Sequence, residues 1–453
     1  MFLGSLPVLA AVPGLVVLGR FVHGAPTLRV AMWHAMAGVP LATATALLAY
    51  ALLVLAGVRL LSAGLRAGYH PVHGRVAWQA WTTERLMDSA RVVLFPLYAS
   101  LFTPAWMRAL GMRVGRRVEI STVVALPRLT SVGDNAFLAD DTMVGCYELG
   151  GGWLRVDTAR VGRRAFLGNS GMTAPGRKVP NRGLVGVLSA TPKRAKAGTS
   201  WLGMPPMLLP RAAEAADAAR TFDPPRRLVA ARAAVEICRL LPVMGSVALA
   251  VVSLAAFEAL AAAFGFAVAA IVGGTVLFAA GLLACLVASA AKWLLVGAFR
   301  PTERPLWSGF VWRTELADTF VETLAVPWLA GAIGGTPLMN AWLRSLGARV
   351  GRGVWCETWW LPEADLIRLG DAATVNRGCV VQTHLFHDRI MRMDAVTFDA
   401  GATLGPHGIV LPGVSIGAHA TVGPASLAMR GEHVPAAGRW LGNPIAPWPS
   451  GPR

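Results

Sequence analysis

Aliphatic residues recur at every sixth position in two separate parts of this sequence. In the C-terminal part Leu404, Val410, Ile416 and Val422 keep this spacing, and glycine follows three of them. The same period runs through Leu369, Val375 and Val381, and nearer the N-terminus through Val132, Leu138 and Val144 and then Val161, Leu167 and Thr173. A helix would show spacings of three and four, and a β-meander would alternate. A period of six instead predicts a parallel β-helix, a three-sided coil whose interior holds the aliphatic side chains.

The two periodic parts belong to a longer internal repeat. The matching segments are "RALGMRVGRRVEI" (108–120) and "RSLGARVGRGVWC" (344–356), "LGNSGMTAPG" (167–176) and "LGPHGIVLPG" (404–413), "WLGMPP" (201–206) and "WLGNPI" (440–445), and further upstream "WTTERL" (81–86) and "WRTELA" (312–317). Self-similarity over such a distance indicates that one architecture occurs twice along the chain.

The composition indicates a membrane protein. Hydrophobic residues make up 55% of the 453 residues, only 15% are charged, and the mean hydropathy is +0.52. Stretches without charge precede each repeat, at 1–19, 35–58, 240–257 and 259–291. Each is close to or beyond the roughly 20 residues that a membrane-spanning helix needs. We therefore expect an α + β membrane protein with two tandem left-handed parallel β-helix (hexapeptide-repeat) modules, each preceded by a transmembrane helix pair.

The repeat predicts seven segments. They are a transmembrane helix pair (1–62), a juxtamembrane helical segment (63–112), β-helix module 1 (113–210), a linker (211–239), a second transmembrane pair (240–298), a second juxtamembrane segment (299–348) and β-helix module 2 (349–449).

The net charge of +17 is nearly all arginine, much of it next to the apolar stretches. The positive-inside rule then predicts a multi-pass protein of the cell inner membrane with both soluble modules on the cytoplasmic side. Anionic lipid headgroups explain this charge, and no recognition motif or aromatic platform indicates a nucleic-acid partner. The five cysteines show no paired spacing, so we expect neither disulfides nor a zinc site.

The six-residue period of the second copy stops after Val381 and resumes at Phe398. The intervening residues are "QTHLFHDRIMRMDAVT", whereas the corresponding "CYELGGGWLRVDTAR" of the first copy contains no histidine. A break in an otherwise regular coil is expected where function requires it. The second copy is therefore predicted to carry the functional loop.

Hexapeptide modules of this kind resemble the acyltransferase superfamily that includes serine, maltose and xenobiotic acetyltransferases, in which an extruded loop supplies a catalytic histidine. The segments "THLFHDRIMRM", "LGPHGIVLPGVSIG" and "WLGNPIAPW", with "GRRAFLGNSG" and "VGVLSATP" in the first copy, are more specific. Together with the interleaved membrane pairs, they resemble the C-terminal region of membrane peptide-synthetase-like enzymes of the epsilon-poly-L-lysine synthetase type. This resemblance covers nearly the whole chain.

The resemblance implies amide-bond formation between an amine acceptor, an amino acid or a growing peptide, and an aminoacyl thioester. It implies no tightly bound cofactor, and its thioester donor is linked to phosphopantetheine. Carrier and adenylation domains or proteins are implied as partners. The family type has three modules, so the resemblance also implies an oligomer or a third β-helix module.

By the same resemblance, His384 is the catalytic base. An amine is largely protonated at neutral pH, and imidazole has a pKa suited to removing that proton. His387 and Asp388 are expected to orient or buffer His384. Arg389, with Asn169 and His407 on the coils, is expected to bind the substrate or the pantetheine arm. No further ligand cluster indicates a metal.

Two other functions fit the sequence. One is a membrane acetyltransferase that uses acetyl-CoA, which shares the pantetheine moiety with a carrier. The other is a non-catalytic membrane docking platform, which the absence of loop histidines from the first copy favours. In related acyltransferase trimers the active sites lie between adjacent β-helices, so the first copy is expected to provide a wall for the histidine loop of the second.

Overall fold

The computed structural model describes residues 2–210 and 217–448. It divides into two compact units, Met1–Ala215 and Ala216–Arg453, which we call unit 1 and unit 2. Residues 211–216 of the predicted linker and residue 449 at the end of predicted module 2 lie outside the described residues. Each unit contains long apolar helices, then shorter helices, then many short strands.

Unit 2 begins with two additional short helices and then has a pair of long helices followed by shorter ones, as unit 1 has. Unit 1 contains α1 (Phe2–Val22), α2 (Leu28–Ser62), α3 (Arg75–Val93) and α4 (Thr103–Leu110), with short 3-10 helices at Phe95–Leu97 and Pro127–Leu129. Unit 2 contains α5 (Ala218–Thr221), α6 (Arg226–Ile237), α7 (Leu240–Phe264), α8 (Phe266–Leu295), α9 (Gly309–Phe320), a π-helical stretch Val321–Ala330, α10 (Pro337–Leu346) and a 3-10 helix at Ala364–Leu366.

Four helical stretches in the described residues are long and apolar enough to cross a membrane: Gly4–Val22, Leu28–Ser62, Ala219–Phe264 and Phe266–Leu295. Large apolar side chains on them, such as Leu15, Leu52 and Ile271, are more than half exposed. A helix that is apolar on all sides without being covered by protein is typical of a lipid environment.

The strands of unit 1 form three parallel sheets, and the chain visits them in turn. The first sheet contains Arg113–Val114, Thr130–Val132, Ala159–Val161 and Lys178–Val179. The second contains Glu119–Ile120, Phe137–Leu138, Phe166–Leu167, Leu184–Val185 and Ser200–Leu202, with Met207–Leu209 added antiparallel. The third contains Val123–Ala125, Thr142–Val144 and Met172–Thr173. Each strand therefore pairs with the strand one coil further along the chain.

Unit 2 repeats this arrangement. Its first sheet contains Arg349–Val350, Ile367–Leu369, Val396–Phe398, Ser415–Ile416 and His433–Val434. The second contains Trp355–Cys356, Thr374–Val375, Thr403–Leu404, Thr421–Val422 and Arg439–Leu441, with Ala446–Pro447 added antiparallel. The third contains Val380–Val381, Ile409–Val410 and Leu427–Ala428. Val381, Leu404, Val410, Ile416 and Val422 are all 0% exposed, so the six-residue period correctly identified the interior of the coil.

The interruption of the period is a β-hairpin in both units. The unit 1 hairpin is Tyr147–Gly150 with Trp153–Val156, and the unit 2 hairpin is His384–His387 with Ile390–Met393. A third antiparallel strand pairs with each, Gly68–Pro71 in unit 1 and Thr302–Pro305 in unit 2. Each hairpin therefore joins the coil to the segment between the membrane helices and the coil.

The tips of the hairpins need two consecutive residues with positive φ, as in a type I′ turn. Unit 1 uses Gly151 (φ 55°) and Gly152 (φ 81°), which tolerate this backbone readily. Unit 2 instead uses Asp388 (φ 47°) and Arg389 (φ 65°). A non-glycine pair in this conformation requires compensating contacts, and those of Arg389 are described below.

Candidate active site

His384 begins the first strand of the unit 2 hairpin, and its side chain is 18% exposed. Its Nδ1 atom lies 2.8 Å from Oε2 of Glu363, whose side chain is 0% exposed. A buried carboxylate in this position accepts a hydrogen bond from Nδ1–H, and this fixes the tautomer that leaves the Nε2 lone pair free. The pair is therefore arranged as in enzymes that use histidine as a base.

Glu363 is held firmly where it meets the imidazole. Its backbone has φ 46° and ψ 56°, a left-handed conformation that costs a non-glycine residue about 1–3 kcal/mol. The hydroxyl of Thr383, itself 0% exposed, lies 2.6 Å from Glu363 Oε2 and 2.7 Å from the carbonyl oxygen of Pro362. These contacts keep the carboxylate directed at His384 rather than at solvent.

Two further carboxylates influence His384 from α9. Burial by itself lowers the pKa of His384, but the negative charges of Glu363, Asp318 and Glu315 outweigh it, so the net pKa is raised. Burial raises the pKa of Asp318 to about 7, with a smaller contribution from Glu363, while His384 and Arg239 act in the opposite direction. Burial thus brings the pKa of the Asp318 carboxyl close to neutral pH, while the neighbouring carboxylates raise the pKa of the imidazole.

The sequence did not indicate Glu363 or Asp318 as site residues. Comparing the copies supplies a signal for the first: "LPRLTSVGD" in unit 1 corresponds to "LPEADLIRLGD" in unit 2, which has two additional residues beginning with Glu363. The corresponding turn of unit 1 contains Arg128, whose Nη1 lies 3.3 Å from the carbonyl oxygen of Ala63. The extra acidic turn is thus specific to the copy that has the histidine.

His387 and Asp388 lie at the opposite end of the strand from His384. His384 pairs with Met393 near the coil, whereas His387 pairs with Ile390 next to the turn. Three residues of extended strand separate the Cα atoms of His384 and His387 by about 10 Å, and side chains three residues apart on a strand point to opposite faces. The carboxylate that orients His384 is therefore Glu363, and His387 and Asp388 belong to the hairpin tip.

Arg389 is 1% exposed and contacts the end of α5 and the residue that follows it. Its Nη1 lies 3.3 Å from the carbonyl oxygen of Thr221, its guanidinium lies 4.8 Å from the ring centre of Phe222, and its carbonyl accepts a 2.9 Å hydrogen bond from Leu306 N. These contacts compensate for its positive φ. They favour a role for Arg389 in fixing the hairpin over the predicted contact with substrate.

His407 and Asn169 are coil residues, the first in unit 2 and the second in unit 1. His407 is an exposed corner residue of the unit 2 coil with φ 57°, and Ser170 takes the same corner conformation in unit 1 with φ 51°. Asn169 is half-buried in unit 1, where its carbonyl accepts a hydrogen bond from Leu188 N. Among residues 2–210 and 217–448, no group of three or more His, Cys, Asp or Glu side chains is arranged to hold a metal ion.

Unit 1 has a tyrosine where unit 2 has His384. Tyr147 pairs with Val156 as His384 pairs with Met393, and its hydroxyl donates a hydrogen bond to Glu84 of α3. Burial and Glu84 raise the pKa of Tyr147, so it stays a neutral phenol. A phenol in this state is not a base at neutral pH, so Tyr147 differs chemically from the imidazole at the matching strand position.

The turn that holds Glu363 is also tied to a membrane helix. Lys292 Nζ, near the end of α8, lies 2.7 Å from Oδ2 of Asp365, and the backbone N–H of Phe299 donates to the same oxygen at 3.2 Å. Both Lys292 and Asp365 are largely buried. A buried ion pair with an additional backbone hydrogen bond resists separation, so α8 and the Glu363 turn are held together.

A basic groove of about 690 Å³ lies on the coil of unit 1. The charged residues that line it are all cationic: Arg108, Arg113, Arg160, Arg163 and Lys178. The sequence shows the same bias, since residues 113–210 contain 14 Lys and Arg against 6 Asp and Glu, whereas residues 349–449 contain 8 of each. This groove is suited to an anionic group.

The sequence is 33% identical over 393 residues to the delta-poly-L-ornithine synthetase of Acinetobacter baumannii (strain AB307-0294). The match covers 85% of this chain but only 29% of that protein. No protein-family model matches the sequence.

Solved structures with similar segments are acyltransferases. A hexapeptide-repeat acetyltransferase from Vibrio cholerae has 18% identity and a TM-score of 0.21, covering 24% of this chain and 78% of that one. An N-acyltransferase from Bacillus cereus in complex with dTDP-4-amino-4,6-dideoxyglucose and coenzyme A has 19% identity and a TM-score of 0.17, covering 19% and 53%. A galactoside acetyltransferase in complex with coenzyme A has 17% identity and a TM-score of 0.20, covering 24% and 68%.

Proposed function

We propose that this chain forms an amide bond between an amine and an aminoacyl thioester carried on phosphopantetheine, as in the synthesis of poly-amino acids. The observation that carries the proposal is the contact between His384 Nδ1 and the buried Glu363 carboxylate. We further propose that the two strand coils are tandem left-handed β-helix modules on the cytoplasmic side of the inner membrane. In this arrangement unit 2 is catalytic and unit 1 provides binding surfaces.

The reaction balances with His384 as the only proton carrier. The neutral imidazole takes the proton from the attacking amine at Nε2 while the new C–N bond forms at the thioester carbonyl. The tetrahedral intermediate then breaks its C–S bond, and the imidazolium returns the proton to the sulfur, which leaves as a thiol. Glu363 stabilises the imidazolium between these steps and does not itself take up the proton.

The charges around His384 suit a cationic acceptor. Glu363, Asp318 and Glu315 all act on the imidazole, so the surroundings are acidic even though Arg239 lies 2.6 Å from Glu315. A negative potential concentrates ammonium groups. The negative potential also raises the pKa of His384. The raised pKa is closer to the pKa of an amine than the pKa of an ordinary histidine is. The Acinetobacter relative is a poly-ornithine synthetase, which is consistent with a cationic acceptor. We propose a diamino acid such as ornithine, or a chain of such residues, as the acceptor.

The basic groove of unit 1 suits the donor. A pantetheine arm carries a phosphate, and arginine side chains bind phosphate through paired, charge-assisted hydrogen bonds. We therefore propose that the groove lined by Arg113, Arg160 and Lys178 is a docking surface of unit 1 for a phosphate-bearing group such as a pantetheine arm. Carrier and adenylation proteins or domains would supply this donor. The tip residues His387 and Asp388, with Asn169 and His407, are proposed as secondary substrate contacts.

The purified chain in lipid nanodiscs tests the proposal directly. Ornithyl-pantetheine thioester and free ornithine are supplied, and the dipeptide amide is measured by mass spectrometry. We expect product from the wild type and a loss of about 10²–10⁴-fold in His384→Ala, the range typical of a positioned base. His433→Ala is a matched control, because His433 is an exposed coil residue that contacts Ser415. An unaffected rate in His384→Ala would exclude the assignment.

The two other functions give different results in the same assay. An acetyltransferase would form N-acetylornithine from acetyl-CoA faster than it forms the dipeptide from the aminoacyl thioester. A docking platform would form neither product, with or without His384. Either outcome would replace the amide-forming proposal.

A further inference from the structure

Unit 1 has an open aromatic cleft between the N-terminal part of α3 and the unit 1 hairpin. The cavity has a volume of about 730 Å³, and its lining includes His73, Trp78, Trp81, Tyr147 and Leu149. Trp78 is 57% exposed, Trp81 56% and Leu149 65%. Large apolar side chains that are exposed together mark an interaction site far more often than an ordinary surface.

The corresponding place in unit 2 is covered by a segment of its own chain. This cover segment consists of α5 (Ala218–Thr221), α6 (Arg226–Ile237) and the residues between them. Trp307 N donates to the carbonyl of Arg220 at 3.2 Å, and Arg220 Nη1 returns a 3.3 Å contact to the carbonyl of Trp307. The guanidinium of Arg232, itself 1% exposed, lies 4.9 Å from the ring centre of Trp307. An arginine on a helix is thus stacked on an aromatic ring beside the hairpin.

The strand registers establish that the two places correspond. Pro71 pairs with Trp153 in unit 1, and Pro305 pairs with Ile390 in unit 2. The next residues also correspond, because Val72 N donates to Gly152 O and Leu306 N donates to Arg389 O.

Counting onward from these strands, His73 takes the position of Trp307, and Trp78 that of Trp312. Trp307 and Trp312 are 4% and 3% exposed under the cover segment, whereas Trp78 is 57% exposed. The same position of the repeat is therefore covered in unit 2 and open in unit 1.

We propose that the unit 1 cleft binds a helical segment of a partner polypeptide, one in which arginines stand near an aromatic residue as in the cover segment. The segment would stack an arginine on Trp78 or Trp81 and pair its backbone with the backbone of His73. Glu84 and Glu148 on this side of unit 1 are already ion-paired with Arg85 and Arg155, so the basic character of the partner follows from the cover segment alone.

A bilayer alone is a poorer occupant than such a segment. Exposed tryptophans near membrane helices often lie at the lipid interface, where a convex apolar surface suffices. This surface is instead concave, with the Tyr147 hydroxyl, the Glu84 carboxylate and the His73 ring in or next to it. Polar groups at a cleft favour an occupant that also forms hydrogen bonds.

A fluorescent peptide with the sequence of residues 218–237 is the probe. Its anisotropy is measured against the purified full-length chain in nanodiscs. We expect saturable binding that weakens at least tenfold for Trp78→Ala/Trp81→Ala and for Leu149→Glu. Leu149 is an exposed residue of the hairpin, so Leu149→Glu should leave the fold intact. This variant therefore tests the site even if the double tryptophan substitution unfolds the protein.

Two controls separate this site from non-specific binding. Trp153→Ala changes an exposed tryptophan of the same hairpin outside the cleft lining, and it should bind the peptide as the wild type does. A peptide with Arg220→Ala and Arg232→Ala should bind at least tenfold more weakly. Equal binding by all protein variants, or no binding at all, would overturn the proposal.

If lipid covers the cleft, the tryptophan fluorescence should be quenched by brominated lipid. Nanodiscs of phosphatidylcholine brominated near the headgroup quench tryptophans that face lipid. The fluorescence difference between the wild type and Trp78→Ala/Trp81→Ala reports on these two residues. We expect this difference to change little in brominated lipid and to respond to the peptide. Strong quenching with no response to the peptide would show that the membrane covers the cleft.

Discussion

His384 and Glu363 are 21 residues apart in sequence, yet Nδ1 of the imidazole lies 2.8 Å from Oε2 of the carboxylate. One coil of parallel strands separates them, so the hairpin strand that begins at His384 starts directly over the turn that contains Glu363. A coil of this kind brings residues together at a separation set by its circumference. The contact between His384 and Glu363 therefore depends on the coil having its full length at this point.

The first prediction concerns Glu363. Glu363→Gln keeps a hydrogen-bond acceptor for Nδ1–H but removes the negative charge that raises the pKa of His384. We expect kcat to fall about 10–100-fold, as is usual when the partner of a functional histidine is changed. The acid limb of the pH–rate profile should move to lower pH, because the imidazole then loses its proton more easily.

The control for this change is Glu357→Gln. Glu357 accepts a hydrogen bond from the backbone of Arg377 on the same coil and has no contact with His384 in the described residues. Its profile should match that of the wild type. A Glu363→Gln enzyme whose acid limb does not move would mean that His384 is not the titrating base.

The second prediction concerns Asp318, whose pKa is raised from 3.8 to about 7 by burial. The folded protein keeps this proton up to about pH 7, whereas the unfolded chain releases it near pH 3.8. The free energy of unfolding therefore loses this contribution as the pH rises between those values. Asp318→Asn should be more stable than the wild type at pH 8, with a smaller difference at pH 5.

Thermal unfolding in nanodiscs at the two pH values measures this effect. Asp399→Asn, at an exposed coil position, is the control and should show no pH-dependent gain. The same Asp318→Asn protein should have its acid limb of activity at lower pH, because Asp318 contributes to the raised pKa of His384. A Tm difference that is larger at pH 5 than at pH 8 would contradict the assignment.

The third prediction concerns Thr383. Thr383→Val is close in shape but removes the hydroxyl 2.6 Å from Glu363 Oε2, leaving a buried carboxylate oxygen with one partner fewer. Loss of a hydrogen bond to a buried charged group costs about 1–3 kcal/mol of stability. We expect lower Tm and lower kcat in Thr383→Val. Thr383→Ser should restore kcat, which a purely steric role of the threonine would not explain.

The fourth prediction concerns the unit 1 hairpin. Introducing Tyr147→His into the His384→Ala protein puts an imidazole at the matching strand position, but the matching turn has Arg128 instead of a carboxylate. We expect no recovery of amide formation above the His384→Ala level, measured by mass spectrometry. Substantial recovery would show that the hairpin histidine is sufficient and that Glu363 is dispensable.

Much of the fold follows from short-range patterns in the sequence. Val375 and Val410 are interior because each coil must put an aliphatic residue inside at a fixed interval, and an interval of six is visible without knowledge of contacts. The four apolar helices follow from length and composition alone. The hairpin appears as an interruption of the period, which is why His384 was recognised.

The remainder of the site depends on register between distant segments. The sequence similarity of "WTTERL" and "WRTELA" matches Glu84 with Glu315, whereas counting from the paired strands matches Glu84 with Asp318. The two alignments differ by about one helical turn, and a turn of helix changes the residue that faces the hairpin. Glu363 was missed because it lies 21 residues from His384 in sequence. Asp388, which is adjacent to the histidines in sequence, was chosen instead, but it belongs to the hairpin tip.

The ion pair between Lys292 and Asp365 joins α8, one of the four long apolar helices, to the turn that contains Glu363. A helix whose apolar length does not match the hydrocarbon thickness tilts or shifts. Because this ion pair connects α8 to the turn that contains Glu363, such a shift would displace the carboxylate relative to the imidazole by fractions of an ångström. Turnover should therefore differ between thin and thick bilayers of equal headgroup charge, so that lipid chain length sets the rate without any ligand.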